Sequence, residues 1–122
     1  MKVSNIDMEK WINYEFGSSS GLTSEFSKFA SDFKRAVLGN LSPGQSLVNW
    51  SRGHFYVSGF INQGERFVYF SVSDVRHFFN DWYYHILVRT AKNEKDYTGG
   101  VNHYATLPYF GKAVSELLEK GR

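Results

Sequence analysis

Cysteine is absent from this chain of 122 residues, and proline occurs only twice. Without cysteine there is no disulfide framework, no thiolate zinc site and no cysteine nucleophile. The absence suits a reducing compartment. Long apolar runs are missing too, and none approaches the roughly 18–20 residues of a membrane-spanning helix. The first residues, Met1-Lys2-Val3-Ser4-Asn5, lack the apolar core of a signal peptide. Nor does charge of one sign accumulate. The net charge is +2; residues 1–61 hold six basic and five acidic residues, and residues 62–122 hold eight and seven. With no polybasic stretch, a strong duplex-DNA footprint is not expected. These absences lead us to expect a soluble protein that stays in the cell that makes it, by default a bacterial or viral cytoplasmic one, with no membrane partner; no cofactor is expected either.

What the chain has in quantity is aromatic side chains. Three Trp, eight Tyr and eleven Phe match in number the Val, Leu and Ile residues combined. The length fits one domain, and we expect a single α+β unit over residues 1–122. A chain of this size buries roughly two-thirds of its unfolded surface, so it holds a core without staples.

The expected architecture is an antiparallel β-meander of three to four strands with two N-terminal helices and one C-terminal helix. Ser4 and Asp7 form a capping pattern. Met8, Trp11, Ile12 and Phe16 then recur at helical spacing before Gly17. Thr23 is placed to cap a second helix whose apolar stripe is Phe26, Phe29, Ala30, Phe33 and Val37, with Gly39-Asn40 as its stop.

Three strand-like runs follow, at Leu47–Ser51, His54–Asn62 and Glu65–Ser73. Arg52-Gly53 and Gln63-Gly64 sit where two-residue hairpin loops belong. That placement pairs Arg66 with Ile61, Val68 with Gly59, Phe70 with Val57 and Val72 with Phe55. It also pairs Trp50 with Phe55 and Val48 with Val57. One face then reads Val48, Trp50, Phe55, Val57, Ile61, Val68, Phe70 and Val72, a core face. The opposite face carries Tyr56, Ser58, Phe60, Phe67, Tyr69 and Ser71. Four aromatics there call for a cover or a partner, since large exposed apolar patches are rare on soluble monomers. The available cover is the run Phe78-Phe79 with Trp82-Tyr83-Tyr84, or the last helix.

A fourth strand is expected over Tyr84–Ala91, with Tyr84, Ile86 and Val88 on one side and His85, Leu87 and Arg89 on the other. The run from Lys92 to Tyr104 has no period and reads as a long loop, a class that often carries function. A final helix is capped by Thr106, has Pro108 in its first turn, buries Phe110, Val114, Leu117 and Leu118, and stops at Gly121.

Catalytic motifs are sparse. No His-Glu-x-x-His run exists. Asp74, His77, Asp81 and His85 are near one another in sequence but straddle a turn and a strand, so no metal site is expected. No serine sits in Gly-x-Ser-x-Gly. Tyr97-Thr98-Gly99-Gly100 lacks phosphate-loop spacing, although paired glycines can form an anion-binding nest. Glu94, Asp96 and Lys95 carry the groups of a small metal-dependent nuclease, but alternating charges in a loop are usually solvated.

Recognition is where the sequence is richest. Between Arg76 and Lys112, basic residues and histidines are interleaved with Phe, Trp and Tyr. Such composition suits a protein interface, where Trp, Tyr and Arg act as anchors. It equally suits stacking on unpaired bases. The candidate partner-binding residues are Arg89, Lys92, Lys95, Tyr97, His103 and Tyr104. The candidate nucleic-acid stacking face is Tyr56, Phe60, Phe67 and Tyr69.

The segment Trp82-Tyr83-Tyr84-His85-Ile86-Leu87-Val88-Arg89-Thr90-Ala91, continuing as Lys92-Asn93-Glu94-Lys95-Asp96-Tyr97-Thr98-Gly99-Gly100, resembles small accessory proteins of phages and mobile elements in Gram-positive bacteria. These include inhibitors of host defence, anti-CRISPR proteins among them. The resemblance implies a compact, non-enzymatic inhibitor of a host nucleic-acid-targeting nuclease, with a CRISPR nuclease as one possible partner. The chain departs from the acidic, DNA-mimicking kind because it is slightly basic. Three functions are therefore expected in this order: a protein-binding inhibitor, a single-strand nucleic-acid binder, and a small metal-dependent nuclease.

Overall fold

The computed structural model describes residues 11, 19–53, 56–73 and 86–120. In chain order the elements are α1 (Ser19–Gly39), β1 (Gln45–Arg52), β2 (Tyr56–Gln63), β3 (Arg66–Ser73), β4 (Ile86–Ala91), β5 (His103–Ala105) and α2 (Phe110–Lys120). The strands form one antiparallel sheet in the order β1-β2-β3-β4-β5. The α+β class is as expected, but among the described residues the sheet has five strands rather than three or four. The added strand, β5, lies in what the sequence presents as loop. Among the described residues no helix is long and apolar enough to cross a membrane.

Helix α1 forms because its apolar residues recur every three to four positions. Phe26, Phe29, Ala30, Phe33 and Val37 are all buried, so the stripe is a core stripe. The helix starts at Ser19, a turn before the expected cap at Thr23. It stops where expected: the Asn40 N–H donates to the Val37 carbonyl, and its side-chain amide donates to the Ala36 carbonyl. The expected first helix lies outside the described residues, apart from Trp11. The Trp11 ring meets Phe29 edge-on at 5.6 Å, and its indole N–H donates to Asp32 at 2.9 Å.

The β2–β3 hairpin turns at Gly64-Glu65 instead of Gln63-Gly64. Gly64 has φ 62° and takes the first central position of the turn, where primed hairpin turns favour glycine. Moving the loop by one residue moves the register by two. Ile61 pairs with Val68, Gly59 with Phe70 and Val57 with Val72. The two faces survive this correction because side chains alternate with a period of two. The β1–β2 connection is also wider than expected: Arg52 pairs with Val57, and the Gly53 N–H donates to the Tyr56 carbonyl. Phe55 lies outside the described residues.

One face assignment changes. β1 is irregular between Val48 and Ser51, and Asn49 there has φ 50°. This bulge lets both Leu47 and Trp50 pack on the core, while Val48 pairs with Phe60 on the opposite face. Val48 is therefore not a core-face residue, and Leu47 takes that role.

Both helices pack on the same face of the sheet. Phe33 of α1, Phe70 of β3 and Phe110 of α2 meet with centroids 5.1–5.9 Å apart. All three are fully buried. Burying one such side chain contributes about 1.5–3 kcal/mol. The alternative in which the last helix covers the second face is thus overturned. Thr106 does not cap α2. Its carbonyl accepts from the Tyr109 N–H, its hydroxyl has no partner, and a turn intervenes before Phe110. The C-terminal carbonyls of Leu118 and Glu119 instead accept from the Arg66 guanidinium.

Candidate functional site

The second sheet face is covered by the loop that follows β4. The loop begins with a tight turn in which the Lys92 N–H donates to the Asp96 carbonyl at 2.8 Å and the Lys95 N–H donates to the Asn93 side chain at 2.8 Å. Asn49, turned outward by its bulge, donates to the Glu94 carbonyl at 2.5 Å. The loop therefore crosses from β4 to the far edge of the sheet. Asp96 Oδ1 then accepts from both the Thr98 N–H, at 3.0 Å, and the Thr98 hydroxyl, at 2.5 Å. These bonds, hydroxyl first, hold the Asp96 carboxyl below its ordinary pKa of 3.8; nearby Lys92 adds to the effect and slight desolvation opposes it.

This turn aims Tyr97 back over the sheet. Its ring lies parallel to Tyr69 at 4.1 Å and within 6.5 Å of Phe60, whose own ring is 5.1 Å from Tyr69. The Arg89 guanidinium lies 6.0 Å from the Tyr97 ring and donates to the Gly100 carbonyl. Gly100 has to be glycine. A Cβ there would sit 2.4 Å from the Thr90 carbonyl oxygen.

The candidate stacking residues thus have different fates. Phe60 is buried, Phe67 and Tyr69 are half-buried, and Tyr56 is exposed with its hydroxyl 3.3 Å from Ser51 Oγ. The expected covers were the aromatic run 78–84 and the last helix. The run lies outside the described residues, the helix packs elsewhere, and Tyr97 does the covering seen here.

The candidate partner residues also divide. Arg89 and Tyr97 are engaged with the body of the protein, Tyr97 through one ring face while 41% of its surface stays exposed. Lys92, Lys95, His103 and Tyr104 are exposed. The hydroxyl that Thr98 would add to an anion nest is already committed to Asp96, as is the Thr98 N–H. Of the nuclease candidates, Asp96 is tied to Thr98, and the Lys95 backbone is tied to Asn93. Among the described residues no three His, Asp or Glu side chains gather as metal ligands would. The group Asp74, His77, Asp81 and His85 lies outside the described residues.

A second surface was missed by sequence reasoning. β5 and one side of α2 enclose an open groove of about 540 Å³. Tyr104 (57% exposed) and Tyr109 (60% exposed) line it with Lys112, Glu116 and Lys120. The available signal was the i, i+4, i+8 recurrence of Lys112, Glu116 and Lys120 on the solvent side of an amphipathic helix.

No protein-family model matches the sequence, and neither a curated protein nor a solved structure is significantly similar to it.

Proposed function

We propose that this chain is a non-enzymatic binding protein, an inhibitor carried by a phage or other mobile element. Its target is a host nucleic-acid-targeting nuclease of the CRISPR kind, and it works in the bacterial cytoplasm. The observation that supports a binding role is the pair of largely exposed tyrosines, Tyr104 and Tyr109, flanking a groove with Lys112 and Lys120. Exposed tyrosines are among the usual anchors of protein interfaces. His103, Lys92 and Lys95 extend the same basic and aromatic character along the loop. The inhibitor class comes from the sequence resemblance. A slightly basic chain is poorly suited to mimic DNA, so the block works by contact with the nuclease protein.

The test is a cleavage assay. The purified chain is titrated into reactions of RNA-guided nucleases from Gram-positive bacteria. Inhibition that saturates at an equimolar ratio, and weakens in Tyr104→Ala with Tyr109→Ala, supports the reading. Undiminished cleavage by every nuclease at large excess of the chain rejects it.

A single-strand nucleic-acid binder stands second. Phe60, Tyr69 and Arg89 are the group types that stack a base and meet a phosphate, and Tyr97 occupies the stacking position. This reading requires Tyr97 to leave. Fluorescence titration with a single-stranded oligonucleotide at low salt should then show tighter binding to Tyr97→Ala than to the unchanged protein. Equal or absent binding by both rejects it.

A further inference from the structure

We propose that the groove between β5 and α2 receives an extended strand of the partner protein, one that carries acidic, basic and acidic side chains at alternate positions. The proposal rests on the binding role above and specifies the chemistry of the segment recognised.

The charge pattern sets the register. Lys112, Glu116 and Lys120 all line the groove and follow one another at four-residue spacing on α2. Each step advances about 6 Å along a helix axis. An extended chain presents side chains to one side every second residue, about 6.6–6.8 Å apart. A plus-minus-plus stripe on α2 therefore matches a minus-plus-minus strand, position for position. Glu116 is only loosely held from within, its carboxylate 3.9 Å from Lys120. Both side chains are well exposed, so an incoming base can take Glu116 while acids take the two lysines.

The groove's walls favour a strand. β5 is the outer strand of the sheet among the described residues, so one side of its backbone has no strand partner. An extended backbone supplies donors and acceptors to that edge. Tyr104 and Tyr109 add exposed ring surface at the rim.

The test compares two fluorescein-labelled peptides by anisotropy. One contains Glu-Val-Lys-Val-Glu and the other Lys-Val-Glu-Val-Lys, with identical flanks. The unchanged protein should prefer the first by about tenfold or more, a difference of about 1.4 kcal/mol. The combined variant Lys112→Glu, Glu116→Lys, Lys120→Glu should reverse the preference. Equal affinity for both peptides in the unchanged protein overturns the proposal and needs no variant. A preference that survives charge reversal also overturns it. So does self-association in sedimentation that the combined variant abolishes, since a second copy would then be the occupant. The cleavage assay is read separately. Inhibition with no peptide discrimination sinks the groove alone, whereas peptide discrimination without inhibition sinks the nuclease reading alone.

Discussion

The ring of Tyr97 lies flat on that of Tyr69, with 4.1 Å between centroids and 12° between planes. A residue of a long polar loop is thereby fixed to the middle of the sheet. The contact hides aromatic surface on the second face and gives the loop a defined path.

Replacing Tyr97 by Ala should cost about 0.5–1.5 kcal/mol for the lost aromatic pair, plus a smaller share for its half-exposed area. Tyr97→Phe should be nearly neutral, because the stacking is made by the ring. Urea unfolding of the two variants checks this, with only Tyr97→Ala expected to unfold at lower denaturant than the unchanged protein.

The loop should loosen in acid. Asp96 has a carboxyl pKa lowered by folding, so its contribution is fully present above the ordinary value of 3.8. It fades as pH falls below that value and through the lower folded-state pKa. Nuclear magnetic resonance of the Tyr97 ring should show the stack opening over that range. Asp96→Ala and Thr98→Ala should each open it already at neutral pH, because each removes the bond from the Thr98 hydroxyl.

Gly100→Ala should be among the most damaging changes to the loop. The new Cβ would meet a backbone oxygen at 2.4 Å, which has no rotamer by which to move aside. Destabilisation of about 1–3 kcal/mol is expected from such overpacking. The neighbouring Arg89–Gly100 bond should break with it. Faster amide exchange around Thr90 and Gly100 would report both events.

Phe33→Ala should be the severest core change. Phe33 touches Phe29, Trp50, Phe70 and Phe110, and so joins both helices to the sheet. A loss of about 3–5 kcal/mol is expected for a buried Phe truncated to Ala. Thermal denaturation measures it, and a variant that melts like the unchanged protein would refute the central position assigned to Phe33.

The parts of the fold that could be read from the sequence are those with a period. Phe26, Phe29, Phe33 and Val37 announce a helix because one turn brings them together without help from distant residues. Alternation along residues 56–63 and 66–73 likewise separates the two faces. Register is a different matter. Whether the turn is Gln63-Gly64 or Gly64-Glu65 depends on which residue adopts positive φ, and glycine permits both. The bulge at Asn49 inserts one residue into an alternating run and leaves no mark except the asparagine. β5 is three residues long, too short for a pattern to emerge. The stack of Tyr97 on Tyr69 depends on the Asp96–Thr98 bonds and the narrow passage at Gly100, neither of which has a periodic signature. The candidate groove was similarly hidden, because it needs β5 to exist before α2 has a neighbour there.

The bulge at Asn49 also bears on how the protein behaves at high concentration. Among the described residues β1 is the long outer strand of the sheet, the kind of edge that serves as a template on which further chains stack. A residue at φ 50° bends that edge out of line, and the loop backbone at Glu94 is tied to the same residue. Asparagine tolerates this conformation far better than the β-branched residues common in strands. One polar side chain thus breaks the flatness of the edge on which fibrous aggregates would grow.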